Sequence, residues 1–188
     1  MRCVILAIDP GKRAGWCIQA PPCANSPDRF VTSGAVETHA DRCAVIGMAR
    51  SIAEVRALPL VVVAESHTRF GKWGRAAAAG TASTWGHWQV AIEEAHLDAL
   101  PRLGRAKGFS GVVRVPAEKW YRAVVGNSRG WKQDGRETKL QRVMLRAGIN
   151  DPDAACAKLI AEWASKAEAV RKVLPVAFMV ATSEGAKR

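Results

Sequence analysis

Two short apolar runs, each ending on a carboxylate, limit what this chain can fold into more than any other feature. Residues 3–8 (CVILAI) run into Asp9, and residues 60–64 (LVVVA) run into Glu65. Runs this short, continuous rather than alternating and rich in branched side chains read as strands buried on both faces. Such strands belong to sheets covered by helices. Open α/β sheets present functional groups at the C-terminal ends of their strands, and Asp9 and Glu65 stand at two such ends.

The rest of the chain supplies the covering. Pro10 to Gly15 is a turn by its Pro and Gly content, and Trp16-Cys17-Ile18 restarts a strand, so a hairpin is predicted. A third strand is expected over Arg29–Glu37, after a Pro-rich loop. Apolar residues at Val45, Met48, Ala49, Ile52 and Val55 predict a helix over Ala40–Leu58, closed by Pro59. Residues 66–75 read as a loop, 76–100 as an Ala-rich helix holding Trp85 and Trp88 in a core or dimer interface, and Val112–Val115 as a strand. Pro116 opens a helix, 127–137 is a polar loop, and Thr138–Ala147 is a helix ended by Gly148. Asp151 and Pro152 then cap and open a helix expected to reach about Val170. The whole is an α/β domain with a mixed sheet over residues 1–170, followed by a frayed tail, 171–188.

Asp153, in the first turn of that last long helix, is a third acid. Were Asp9, Glu65 and Asp153 to converge, they would form a hard, oxygen-lined site suited to Mg2+. Their mutual repulsion is what a cation relieves. Two such ions roughly 4 Å apart can activate water and stabilise the leaving oxygen of a phosphodiester.

Charge points to the same substrate. The chain has 28 Lys and Arg against 17 Asp and Glu, a formal +11, which favours a polyanionic partner. Residues 102–146 hold 12 of the cations, Arg122 and Lys132 among them, and only three acids. That distribution reads as a phosphate-binding face whose affinity falls with salt. Arg69-Phe70-Gly71-Lys72-Trp73 interleaves cations with aromatic rings able to stack on unpaired bases. An apolar content of 48% excludes a disordered basic tail.

The longest apolar stretch, Ala57–Ala64, contains Pro59 and falls short of the roughly 20 residues of a membrane span. The N-terminal run lacks the length and cleavage site of a signal peptide, so a cytoplasmic protein with no membrane contact is expected. Five cysteines without a C-x-x-C pair predict reduced thiols and no cysteine-built zinc site. His39, His67, His87 and His96 show no metal-ligand spacing.

Ile8-Asp9-Pro10-Gly11 with Gly15-Trp16, then Val63-Ala64-Glu65, then Asp153-Ala154-Ala155 with Ala157 and Ile160-Ala161, together resemble the RuvC-type crossover-junction endonucleases of the ribonuclease H-like superfamily. Val115-Pro116, Trp120, Val124-Val125-Gly126 and Lys139 fall in the same order, and the resemblance covers about residues 3–165. It implies a five-stranded mixed sheet flanked by helices, a homodimer, and Mg2+-dependent paired nicking of four-way (Holliday) junctions in recombination and repair, with Mn2+ able to substitute. It also implies that Asp9, Glu65 and Asp153 are catalytic metal ligands, that Lys139 lies near the scissile phosphate, and that Phe70 or Trp73 stacks at the junction. Arg122 stands near the place of a second family lysine.

The sequence departs from the family at one position. Three residues after Asp153, where the family carries a fourth acid, stands Cys156, whose soft sulfur suits Mg2+ poorly; Asp151 could reach in instead. Alternatives therefore stand beside the resolvase: a relative that binds DNA structures with weakened cleavage, or one that cuts flaps or other branched DNA, including a phage-encoded one. An actin-like ATPase would share Asp-Pro-Gly and the hairpin, but clamps nucleotide between two domains, for which 188 residues are too few.

Overall fold

The computed structural model describes residues 3–11, 13–24, 27–66, 83–95, 109–126 and 136–172. Five strands, β1 (Val4–Asp9), β2 (Ala14–Ala20), β3 (Phe30–Val36), β4 (Leu60–Ser66) and β5 (Phe109–Pro116), form one sheet in the order β3-β2-β1-β4-β5. The first three strands are an antiparallel meander, whereas β4 and β5 run parallel to β1, so the sheet is mixed as expected. The helices are α1 (His39–Val55), α2 (83–95), α3 (Ala117–Val124), α4 (Arg136–Ala147), α5 (Pro152–Ala164) and α6 (Glu168–Arg171).

Side chains alternate across a strand with period two, and this sheet uses both faces. Val4, Leu6 and Ile8 of β1 join Leu60, Val62 and Ala64 of β4 under α1 and α2. Cys3, Ile5 and Ala7 join Val61, Val63, Val113 and Val115 under α3, α4 and α5. The result is an α/β/α stack with β1 and β4 buried on both sides, which is why their sequences are apolar without alternation.

Helix α5 lies close against the sheet because the side chains it buries are small: Ala154, Ala155, Cys156, Ala157, Ala161 and Ala164, with Leu159 and Ile160 filling the gaps. It ends at Ala164, short of the expected Val170. Lys166 N–H donates to Trp163 O at 3.0 Å and Ala167 N–H to Ala164 O at 3.2 Å, a tight turn from which α6 restarts. The turn carries Val170 into the core, where it is fully buried. No glycine or proline marks the break; burial of a valine outweighs continuation of an alanine-rich helix. By contrast, α4 ends at the expected glycine: Gly148 takes φ 66° and its N–H donates to Met144 O at 2.8 Å. Among the described residues, no helix is long and apolar enough to cross a membrane.

Candidate active site

Parity along the strands sets the site. Asp9 follows Ile5 and Ala7, and Glu65 follows Val61 and Val63, so both carboxylates emerge on the face covered by α5. The parallel register pairs Ile8 with Ala64, so Asp9 and Glu65 lie side by side one step further on. Glu65 is buried, and Trp120 of α3 donates its indole N–H to Glu65 Oε2 at 2.8 Å. Burial, and next the charge of Asp9, push the Glu65 pKa up to about 8, against the pull of the Trp120 hydrogen bond.

A glycine brings in the third acid. Gly15 of β2 pairs with Asp9 across the antiparallel hairpin. A Cβ at Gly15 would overlap the backbone carbonyl of Asp153 and stand 3.1 Å from its Cα. The first turn of α5 therefore abuts the strand directly beside Asp9, an approach only glycine permits. Asp151 caps this helix, with Oδ1 accepting from the N–H groups of Asp153 and Ala154 at 3.0 Å each.

Arg13, in the turn between Asp9 and β2, grips the same helix end. Its Nη1 lies 3.0 Å from Asp153 Oδ2, and its Nη2 bonds Asp151 Oδ2. Burial works to raise the Asp151 pKa, but the Arg13 hydrogen bond and the two backbone N–H donors hold it below the usual carboxylate range. The hydrogen bond to Asp151 in turn raises the pKa of Arg13. Asp153 thus meets a cation in the protein itself, through its Oδ2.

Cys156 sits one helical turn beyond Asp153, 8% exposed. Burial pushes its thiol pKa far up; the charges of Asp9 and Glu65, a hydrogen bond with Asp9, and the charge of Asp153 add to it. The thiol thus stands against Asp9 and within the electrostatic reach of Glu65 and Asp153. A protonated thiol there is a hydrogen-bond partner for Asp9 and a poor substitute for a carboxylate toward a hard ion.

The other predicted site residues lie on α3 and α4 or outside the described residues. Lys139 is half-buried on α4, and Arg122 is exposed on α3. Arg69, Phe70, Lys72, Trp73 and Lys132 fall outside the described residues. Two residues of the cluster, Arg13 and Trp120, have no site role predicted by the sequence. The turn position of Arg13, four residues after Asp9, was a usable signal for a cation at the strand end. Trp120 could be placed in a pattern, but its bond to Glu65, 55 residues away, could not. Trp88 is fully buried in the opposite core, and Trp85 packs under the Arg114 guanidinium, 4.2 Å from its ring centroid. Comparison with protein-family models and with curated proteins finds no match to this chain.

Proposed function

We propose that this chain is a divalent-metal-dependent endonuclease with a ribonuclease H-like fold, acting on branched DNA in the manner of a RuvC-type Holliday junction resolvase. The observation that carries the reading is the convergence of Asp9, Glu65 and the Asp153 end of α5 on one sheet face. The strand order β3-β2-β1-β4-β5 with one antiparallel meander is the sheet this reading calls for. The +11 charge supports a phosphate-rich substrate.

The residues present suit a hard cation. Glu65 is a buried carboxylate next to a second one, and a divalent ion is the partner that favours its charged form. Asp9 and Glu65 would hold Mg2+ or Mn2+, and Asp153 would join them on leaving Arg13. Such an ion supplies a lowered pKa for water and a counter-charge for the phosphodiester. The chain contributes the rest. Trp120 fixes one oxygen of Glu65, and Asp151 satisfies the first N–H groups of α5 so that Asp153 is held in place. Arg13, once released, is a bidentate donor for a phosphate at the same spot. Lys139 would offset charge at the scissile phosphate, and a homodimer would present two such sites to two strands.

Cleavage of a mobile four-way junction by the purified protein tests this. Mg2+ should support nicking, EDTA should abolish it, and Asp9→Asn and Glu65→Gln should each remove it. An intact junction in all arms, with wild type and variants alike, would end the proposal. Cys156 and the Arg13–Asp153 pair favour a second reading, a relative that binds branched or flapped DNA but cuts it weakly. In that case the wild type shifts the junction in a gel without cutting it, and Cys156→Asp raises cleavage.

A further inference from the structure

On the sheet face opposite the acids, His39 and Cys43 of α1 meet Glu94 of α2. His39 and Cys43 are four residues apart on one helix and so project from the same side. His39 Nε2 lies 3.1 Å from Glu94 Oε2 and 3.4 Å from Cys43 Sγ, and Sγ lies 3.8 Å from the same Glu94 oxygen. Among the described residues, this is the one group of three His, Cys, Asp or Glu side chains whose ligand atoms all lie within 4.8 Å of one another. The sequence predicts no metal-ligand spacing among the histidines and no cysteine-built zinc site; Glu94, 51 residues from Cys43, is out of reach of any local pattern.

The triangle has the dimensions of a coordination face. With zinc bonds of about 2.0–2.1 Å to nitrogen and oxygen and about 2.3 Å to sulfur at tetrahedral angles, the N–O, N–S and S–O edges come to about 3.4, 3.6 and 3.6 Å. Each observed edge lies within a few tenths of an ångström of these. We propose that His39, Cys43 and Glu94 form a binding site for a borderline divalent cation, Zn2+ in preference to Mg2+, with a fourth position open to solvent.

The donor set selects the ion: thiolate and imidazole suit zinc, whereas Mg2+ takes oxygen. A nucleophilic triad does not fit the same atoms. A relay would use both nitrogens of the imidazole, but here Nε2 alone faces both neighbours, and the Cys43 thiol donates its proton to Glu94.

The scaffold fixes the two ligand-bearing helices against each other before any ion arrives. Thr38 caps α1, its Oγ1 accepting from Asp41 N–H at 3.1 Å, which sets the backbone at His39. Arg50 Nη1 donates to Ala95 O at 2.9 Å, tying α1 to the residue after Glu94. Val45, Ile46 and Ala49 share a core with Trp88, Ala91 and Ile92. An ion here would clip the two helices together above that core.

Titration of the full-length protein with Co2+ reads the site directly, because a cobalt–thiolate bond gives a charge-transfer band in the near ultraviolet. The wild type should bind one ion with that band, and Zn2+ should displace it. Cys43→Ser should abolish the band, and His39→Ala and Glu94→Gln should each weaken affinity at least about tenfold, as losing even an outer-shell partner does. Asp9→Asn should keep the band, so the result stands apart from junction cleavage. Should Cys43→Ser not fold, Glu94→Gln, which keeps the side-chain size at an exposed position, decides by the same titration. No band in the wild type at excess Co2+, or a band unchanged in both variants, overturns the site.

Discussion

The two faces of the sheet hold their polar clusters by different means. On the α5 face, strand parity and register fix Asp9 and Glu65, and a glycine admits the end of α5 beside them. On the α1–α2 face, the cluster belongs to helices alone and sits at a surface edge, His39 with 47% and Glu94 with 55% of the side chain exposed. Charges embedded in a sheet cannot move apart, so burial and repulsion show up as displaced pKa values. Charges on helix surfaces keep water and rotamer freedom, and they rely on the packing beneath them for geometry. The first arrangement builds tension that a cation would relieve; the second offers donors that a cation would have to gather.

The sharpest way to break this comparison is at Gly15. Gly15→Ala places a methyl on the Asp153 backbone, and a carbonyl cannot rotate out of the way as a side chain would. The expected cost is about 3 kcal/mol of stability, measured by urea unfolding, with loss of any activity that depends on Asp153. Cobalt binding by His39, Cys43 and Glu94 should survive in the folded fraction. Equal damage to both sites would mean that the faces are not independent.

A smaller effect concerns pH. In the metal-free protein the Glu65 pKa is raised from 4.5 to about 8, so the folded state holds this proton more tightly than the unfolded chain does. The corresponding stability is complete below the lower value and is lost as pH rises through the upper one. The melting temperature of the wild type should therefore fall across that window relative to Glu65→Gln, and Mg2+ should restore it in the wild type alone. Identical pH slopes for the two proteins would remove the case for tension at this site.

The smallest change in stability is expected for Arg13→Gln. The guanidinium and both its partners are substantially exposed, a setting in which ion pairs contribute little. The variant should melt close to the wild type yet bind Mg2+ more tightly by calorimetry, because Asp153 no longer has to leave a competing cation. Unchanged or weaker Mg2+ binding would show that Arg13 does not compete with the ion.

Much of the α5 face was legible in the sequence. Continuous apolar runs announced β1 and β4, with the acids Asp9 and Glu65 at their ends, and Asp151-Pro152 announced the start of α5. Gly148 ended α4 where it was expected to. The turn after Ala164 was not legible, because its cause is the burial of Val170 rather than any local breaker. Nor was the grip of Arg13 on residues 138 and 140 positions away, or the meeting of Glu94 with His39. Local patterns report on neighbours a few residues apart, and these contacts join elements that meet only when the sheet is covered on both sides.

From its amino acids alone this protein acquired two doubly buried strands with acids at their ends, an antiparallel hairpin, capped helices and a strongly basic surface, because hydrophobic periodicity, turn chemistry and charge act within a few residues. Tertiary packing decided the other matters: that the first turn of α5 abuts β2 beside Asp9, that Arg13 grips it there, that Cys156 is buried against Asp9, and that a histidine, a cysteine and a glutamate close a triangle on the far face. Each depends on the distance between elements far apart in the chain, which is set by how small residues such as Gly15 and the alanines of α5 let those elements approach.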